Sequence, residues 1–223
     1  MLGHLHMGDW MAVLSMTDEA EFDRMLAERR KLRDKGMTGS DVIGPKMRKG
    51  AALRDQWHEF HQTLCDLLAA KDPKDRVKWV GPSMSVRMCA TARQMETWAH
   101  AQDIYDMLRA PRQHYDRIKN IAEIGVRTYG WTFANRGLEP PGPAPFVRLT
   151  APSGAIWQWG EETPDNRVEG SGLEFCQVVT QGRNIADVGL TVVGEPAEKW
   201  MAIAQCFAGD PKDPPAKGDR AWN

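Results

Sequence analysis

The sequence has few cysteines, and none of them forms a close pair. Its four cysteines are Cys65, Cys89, Cys176 and Cys206. This spacing excludes a C-x-x-C redox or zinc motif and argues against a dense disulfide framework. Each cysteine falls in a segment patterned like a buried helix face, so we expect four free, reduced thiols in a cytoplasmic protein.

Long apolar stretches are also missing. No run approaches the roughly 18 consecutive apolar residues that a membrane helix needs. The opening stretch, MLGHLHMGDWMAVLSM, has no basic segment and is interrupted by His4, His6 and Asp9, which argues against a secretory signal. We therefore expect an intracellular protein that does not enter the membrane.

The charge is balanced, with 29 Lys and Arg against 30 Asp and Glu, a formal net charge of -1. No net positive field favours nucleic acid or an anionic membrane surface. The chain also lacks the G-x-G-x-x-G and G-x-x-x-x-G-K-[ST] phosphate loops, which argues against a nucleotide cofactor. The expected partners are small molecules.

The hydrophobic pattern predicts an α+β protein whose helices come first. Apolar residues recur at three- and four-residue steps through most of residues 1–112, which predicts a helical bundle. Residues 113–209 combine one helix from about His114 to Asn135, two strands around a Pro-Ser-Gly turn, a further strand and two shorter helices. The polar, proline-bearing residues 210–223 are expected to be disordered.

One face of the long helix that starts near Pro82 is polar along its length. Cys89, Arg93, Glu96, His100 and Asp103 follow one another at steps of 4, 3, 4 and 3, so they share a face of the helix. Such a seam is normally apolar and packs into the core. This face is therefore either solvated or lines a functional cavity.

Glu96 and His100 are candidate metal ligands, because residues at i and i+4 can place a carboxylate oxygen and an imidazole nitrogen on one ion. On spacing alone, an exposed helix-stabilising pair is the commoner explanation. A second polar cluster in an apolar helix, around His4, His6 and Asp9, could supply a third ligand. Three protein ligands leave an open position, as in catalytic zinc sites.

Other residues on these helices have competing interpretations. His58 and His61 could ligate a metal, although their apolar neighbours favour a position at the core boundary. Cys89, one turn before Arg93, is either a nucleophile with a lowered pKa or, more simply, a buried structural thiol. Arg93 could bind a substrate carboxylate or orient Glu96. Asp103 could fix the tautomer of a ligand imidazole or lie at the surface.

At these residues the chain resembles the DinB-like, mycothiol-dependent maleylpyruvate isomerase family. The resemblance extends nearly to Gly209. In the first half it rests on His4-Leu5 with Asp9, Thr17-Asp18 and Phe22, on Trp79-x-Gly81-Pro82, and on Arg93-x-x-Glu96-x-x-x-His100-x-x-Asp103. In the second half it rests on IGVRT, RGLEPP, WQWG, RVEGSGLEFCQVVT and AEKWMAIAQCFAG.

The resemblance implies a site and a cofactor that the pattern alone does not. It implies a helical bundle in which His4, Glu96 and His100 bind Zn²⁺ or a similar divalent ion, in preference to His6. It implies a C-terminal α+β domain similar to sterol-carrier-like folds. It also implies mycothiol, or an equivalent low-molecular-weight thiol, as a cofactor.

The chain departs from the family at its beginning. Family members usually carry a further helix before the His-Leu segment, whereas Met1 here stands almost at His4. If that first helix is missing, we expect an apolar groove beside Leu5, Trp10, Met11 and Leu14. A second copy of the chain, which would make a homodimer, or another protein could close such a groove.

Two functions follow from these features. The first is a metal-dependent thiol transferase or cis-trans isomerase, in which Arg93 binds a carboxylate of the substrate or the thiol. The alternative is a non-enzymatic, metal-containing protein whose C-terminal domain binds a ligand or a partner.

Overall fold

The computed structural model describes residues 1–36 and 44–220, without the side chain of Arg33. The chain divides into two compact units, Met1–Arg93 and Gln94–Asn223. The first is helical with one short hairpin, and the second contains a small sheet. The predicted fold class is confirmed, whereas the domain boundary at residue 112 and the disorder of residues 210–223 stay predictions.

The predicted helices of the first unit are present. Asp18 begins the second helix, where its side chain accepts a hydrogen bond from the Glu21 amide at 2.9 Å, a typical N-cap contact. A two-stranded antiparallel hairpin precedes the long helix, which continues into the second unit. The elements are α1 (Leu2–Thr17), α2 (Glu19–Asp34), α3 (Ala51–Ala70), β1 (Arg76–Val77), β2 (Met84–Ser85) and α4 (Val86–Leu108).

The core of the first unit lies where α1 packs against α3. Ala12 and Leu64 are fully buried there and contact Val86 and Cys89 at the start of α4. The start of α4 is thereby anchored by ordinary apolar packing. One cysteine departs from its prediction, since Cys65 is exposed on α3 whereas the other three are buried; all four are free thiols.

The second unit is built around a four-stranded sheet of order β4-β3-β5-β6. The predicted strands around Pro152-Ser153-Gly154 are present as an antiparallel pair. The central strand β5 was not predicted, because Val168 is its one large apolar residue and no alternation is visible. The elements are α5 (Lys119–Arg127), α6 (Tyr129–Ala134), β3 (Phe146–Thr150), β4 (Ile156–Trp159), β5 (Arg167–Ser171), α7 (Gly172–Val179), β6 (Thr191–Val193) and α8 (Glu195–Ile203).

The helix predicted from His114 to Asn135 is interrupted in the structure. It begins as a 3₁₀ turn at Asp116–Ile118 and breaks again at Thr128, between α5 and α6. The Thr128 hydroxyl donates to the carbonyl oxygens of Ile124 and Gly125 at 2.8 and 2.9 Å. Such back-bonding by threonine bends helices.

Among the described helices, none is both long enough and apolar enough to cross a bilayer.

The core of the second unit forms where the buried face of the sheet meets α7 and α8. Val147, Leu149 and Val168 are fully buried on the strands. Phe175 of α7 and Trp200 of α8 pack edge to face, with ring centroids 5.8 Å apart.

Candidate metal centre

The second half of α4 carries a chain of three side chains that contact one another. Nε2 of His100 lies 3.6 Å from Oε2 of Glu96, one turn earlier. Nδ1 of the same ring lies 3.2 Å from Oδ2 of Asp103. His100 is therefore held between two carboxylates, with a different nitrogen facing each.

This arrangement suits a metal ligand. A metal-binding histidine typically presents one ring nitrogen to the ion and donates from the other to a carboxylate, which fixes the tautomer. Here Asp103 faces Nδ1 and leaves Nε2 on the side of Glu96. Two donors on one tetrahedral zinc ion at about 2.0–2.2 Å are about 3.4 Å apart, close to the separation of Nε2 and Oε2.

His4, an exposed residue of α1, is the third predicted ligand. The structure places Glu96 and His100 together on α4. The full ligand set that the resemblance implies, with His4 as the third ligand, stays a prediction, as does its occupation by a metal.

The two carboxylates also change the acidity of His100. Its hydrogen bonds, first to Asp103 and then to Glu96, raise the pKa of His100 to about 9, against the opposing effect of burial. Without a metal, the ring is therefore a cation at neutral pH. Asp103 in turn accepts a hydrogen bond from Arg220 at 2.8 Å. Burial alone would raise the pKa of Asp103, but its contacts with His100 and Arg220 lower it.

Asp9 on α1 forms a buried cluster with Trp57, His61 and Arg93, and these contacts were not predicted from the sequence. The Asp9 side chain is fully buried and accepts hydrogen bonds from Nε1 of Trp57 and Nε of Arg93, both at 3.0 Å. Nδ1 of His61 lies 2.9 Å from the same carboxylate. Burial would raise the pKa of Asp9, but the contacts with His61 and Arg93 outweigh it and lower the pKa.

Arg93 belongs to this cluster. Its side chain is almost completely buried, and Nη2 has no hydrogen-bond partner among the described residues. A Cβ atom on Gly8 would lie 2.4 Å from Nη2, so the missing side chain at position 8 makes room for the guanidinium. The ion pair gives Arg93 a structural partner in Asp9, and its predicted role in binding a carboxylate stays a prediction.

The remaining candidates are buried or engaged elsewhere. His6 is buried edge-on against Phe60, with ring centroids 5.1 Å apart. Burial lowers the pKa of His6 despite nearby Asp9. Cys89 is also buried, and burial raises its pKa to about 11 although Arg93 opposes this; that favours the structural interpretation of the thiol. His58 is exposed on α3.

Comparison with known proteins gives two related results. The sequence model of the mycothiol maleylpyruvate isomerase N-terminal domain matches residues 1–105. Uncharacterized proteins of Mycobacterium tuberculosis strains H37Rv and CDC 1551 / Oshkosh are each 37% identical to the chain over 214 residues, which covers 94% of this chain and 81% of each relative. The chain belongs to the mycothiol maleylpyruvate isomerase N-terminal domain family.

Membership of this family confirms the predicted resemblance, and the matched residues include all three predicted ligands. The relatives extend the similarity through the sheet-containing unit, beyond the region that the family model covers. No solved structure gives a significant match to the chain.

Replacing Asp9 by Asn should destabilise the protein strongly. The substitution leaves the Arg93 guanidinium buried without a counter-charge, at a cost of about 3–5 kcal/mol. Because the folded pKa of Asp9 is lowered, its contribution is present above the ordinary pKa of an aspartate and is lost as the pH falls through the folded value. Urea unfolding of wild type and Asp9→Asn at pH 7 measures the difference, which should shrink in acid.

Asp55→Asn is the matched control, because Asp55 is exposed on α3 and pairs with the exposed side chain of Arg54. It should change the free energy of unfolding by no more than about 1 kcal/mol. Equal effects of the two substitutions would show that the buried pair does not stabilise the fold.

Proposed function

We propose that the protein is a metal-dependent enzyme that uses a low-molecular-weight thiol, mycothiol or an equivalent, to isomerise or S-conjugate a small electrophile. The geometry of His100 carries the proposal, since its Nε2 lies 3.6 Å from Oε2 of Glu96 and its Nδ1 faces Asp103. His4 is the third ligand that the family resemblance implies. Membership of the mycothiol maleylpyruvate isomerase N-terminal domain family supports the choice of thiol.

The donor set suits zinc or a related divalent ion. Two imidazoles and one carboxylate are mixed nitrogen and oxygen ligands, which such ions prefer. Three protein ligands leave a coordination position open for a small molecule. A divalent ion bound there would favour the thiolate form of a coordinated thiol at neutral pH.

Neighbouring side chains would orient the proposed ligands for metal binding. Asp103 would hold the proton on Nδ1 of His100 and so direct Nε2 toward the ion. Glu96 would supply the single negative charge among the three ligands. Arg220, which donates to Asp103, would limit the rotation of that carboxylate.

His100→Ala should abolish tight metal binding. Purified without chelator, the wild type should contain about one equivalent of a divalent ion per chain, because the three side chains form one site. His58→Ala is the matched control, since His58 is an exposed histidine of α3, and it should keep the full metal content. Elemental analysis of both variants decides the ligand set, which would be wrong if only His58→Ala lost metal.

Metal affinity should depend on pH in a direction set by His100. Because its metal-free pKa is about 9, the ring must release a proton to bind a metal at pH 7. The affinity should therefore rise by about tenfold per pH unit between pH 7 and 9 and level off above pH 9. Competition titrations with a chromogenic chelator measure this slope, and a flat profile would mean that His100 does not bind the metal.

A thiol should bind directly at the metal. In cobalt-substituted protein, a low-molecular-weight thiol should add an intense sulfur-to-metal charge-transfer band, because cobalt takes the tetrahedral position of zinc and a bound thiol is deprotonated. The corresponding alcohol, which lacks sulfur, is the control. A spectrum unchanged by millimolar thiol would support instead a metal-containing protein that is not a thiol-dependent enzyme.

A further inference from the structure

The sheet-containing unit has a cavity of about 540 Å³ beside the last turns of α4. It has the volume of a small-molecule site. Its lining is rich in cationic and amide side chains and includes Gln102, Tyr105, Asp106, Arg112, Gln177 and Arg183.

Asp106, the carboxylate among the lining residues, already has ion-pair and hydrogen-bond partners. Nη1 and Nη2 of Arg183 donate to its two oxygens at 2.6 and 2.9 Å. Nε2 of Gln102 donates to Oδ1 at 2.8 Å. This bidentate pair is complete, so the charge of Asp106 is compensated by Arg183.

Arg112, on the same cavity wall, has no such bidentate partner, although the charge of Asp106 acts on it at longer range. Its guanidinium lies over the rings of Trp98 and Tyr105, 5.2 and 5.3 Å from their centroids. Nη1 donates to the Trp98 carbonyl oxygen at 2.8 Å and to Oε1 of Gln102 at 3.1 Å. The side chain is half-buried, and no carboxylate of the described residues lies within ion-pair distance of it.

The dipole of α4 does not explain the position of the Arg112 guanidinium. A basic side chain stabilises the negative end of a helix only within its last turn. Arg112 reaches back to the carbonyl of Trp98, whereas α4 ends at Leu108. Its position is therefore set by the cavity wall and by the two aromatic rings.

Two further polar side chains of the cavity are available to a ligand. Nδ1 of His114 is buried and has no partner among the described residues. Burial, and then the charge of Arg112, lower the pKa of His114, so its ring is neutral and can donate one hydrogen bond. Gln177 is only 9% exposed and brings an amide to the same cavity.

We propose that this cavity binds the carboxylate of a small organic acid, with Arg112 as its main contact. A planar carboxylate matches the fork of a guanidinium and would give Arg112 an anion in direct contact. Because the two rings and Gln102 hold the guanidinium in place, little side-chain entropy is lost on binding. His114 and Gln177 complete the polar contacts. The site uses none of the proposed metal ligands and does not depend on them.

Isothermal titration of the full-length protein with succinate tests the proposal. Succinate should bind, whereas succinamide, its neutral analogue, should not. Inorganic phosphate should bind more weakly than succinate. Equal binding of succinamide would overturn the anion assignment, and tighter binding of phosphate would overturn the carboxylate assignment.

Substitutions locate the site. Arg112→Gln should weaken succinate binding by about tenfold or more, the usual effect of losing a charge-assisted hydrogen bond. Arg112→Lys keeps the charge but not the fork, so it should fold normally and lose several-fold in affinity. Arg148→Gln, at an exposed arginine of β3, should bind like the wild type. His100→Ala should also bind succinate normally.

Unchanged binding in both Arg112 variants would overturn the proposal. Loss of binding in His100→Ala alone would instead place the carboxylate on the proposed metal site. Metal content is measured in a separate experiment from these titrations. The proposed metal site and the proposed carboxylate site are therefore tested independently.

Discussion

The continuity of α4 is the constraint on which the rest of the structure depends. Its 23 residues contain no break, so the 3.6-residue period fixes how each successive side chain is directed. The first turns carry Val86 and Cys89 into an apolar core. The next turns carry Glu96, His100 and Asp103, and the last two turns of α4 carry residues that line the cavity.

Charge compensation is the second constraint, and it distinguishes structural from functional charges. The Asp9–Arg93 and Asp106–Arg183 pairs are almost wholly buried, and in each pair the carboxylate has a guanidinium partner. Such pairs specify geometry more than they add stability. Arg112 differs because it is held in place without a direct ion-pair partner among the described residues, which is more typical of binding sites than of cores.

The sequence is most informative where function depends on spacing along one helix. Glu96, His100 and Asp103 are identifiable because steps of four and three residues place them on one face, and the structure brings them into contact. The hairpin around Gly154 is equally visible from its turn residues. In both cases the decisive contacts are local in the chain. Contacts between distant segments cannot be predicted in this way.

Three features show why contacts between distant segments are not visible in the sequence: Trp57, His61 and strand β5. The apolar neighbours of His61 predict a core-boundary position. Nothing in their helix indicates that Trp57 and His61 both contact Asp9. Strand β5 has almost no apolar alternation, and its place in the sheet comes from pairing with β3 and β6. In the sequence Arg112 is an ordinary residue after a helix, because the lack of a direct ion-pair partner is a property of its three-dimensional surroundings.

Gly8 links two positions that are far apart in the sequence. Glycine inside a helix costs roughly 0.5–1 kcal/mol relative to alanine, yet any larger residue would overlap the guanidinium of Arg93. The residues at 8 and 93 are therefore sterically coupled. Among related chains, a side chain at position 8 should appear only together with a shorter residue at position 93, so that the two sites covary as a pair.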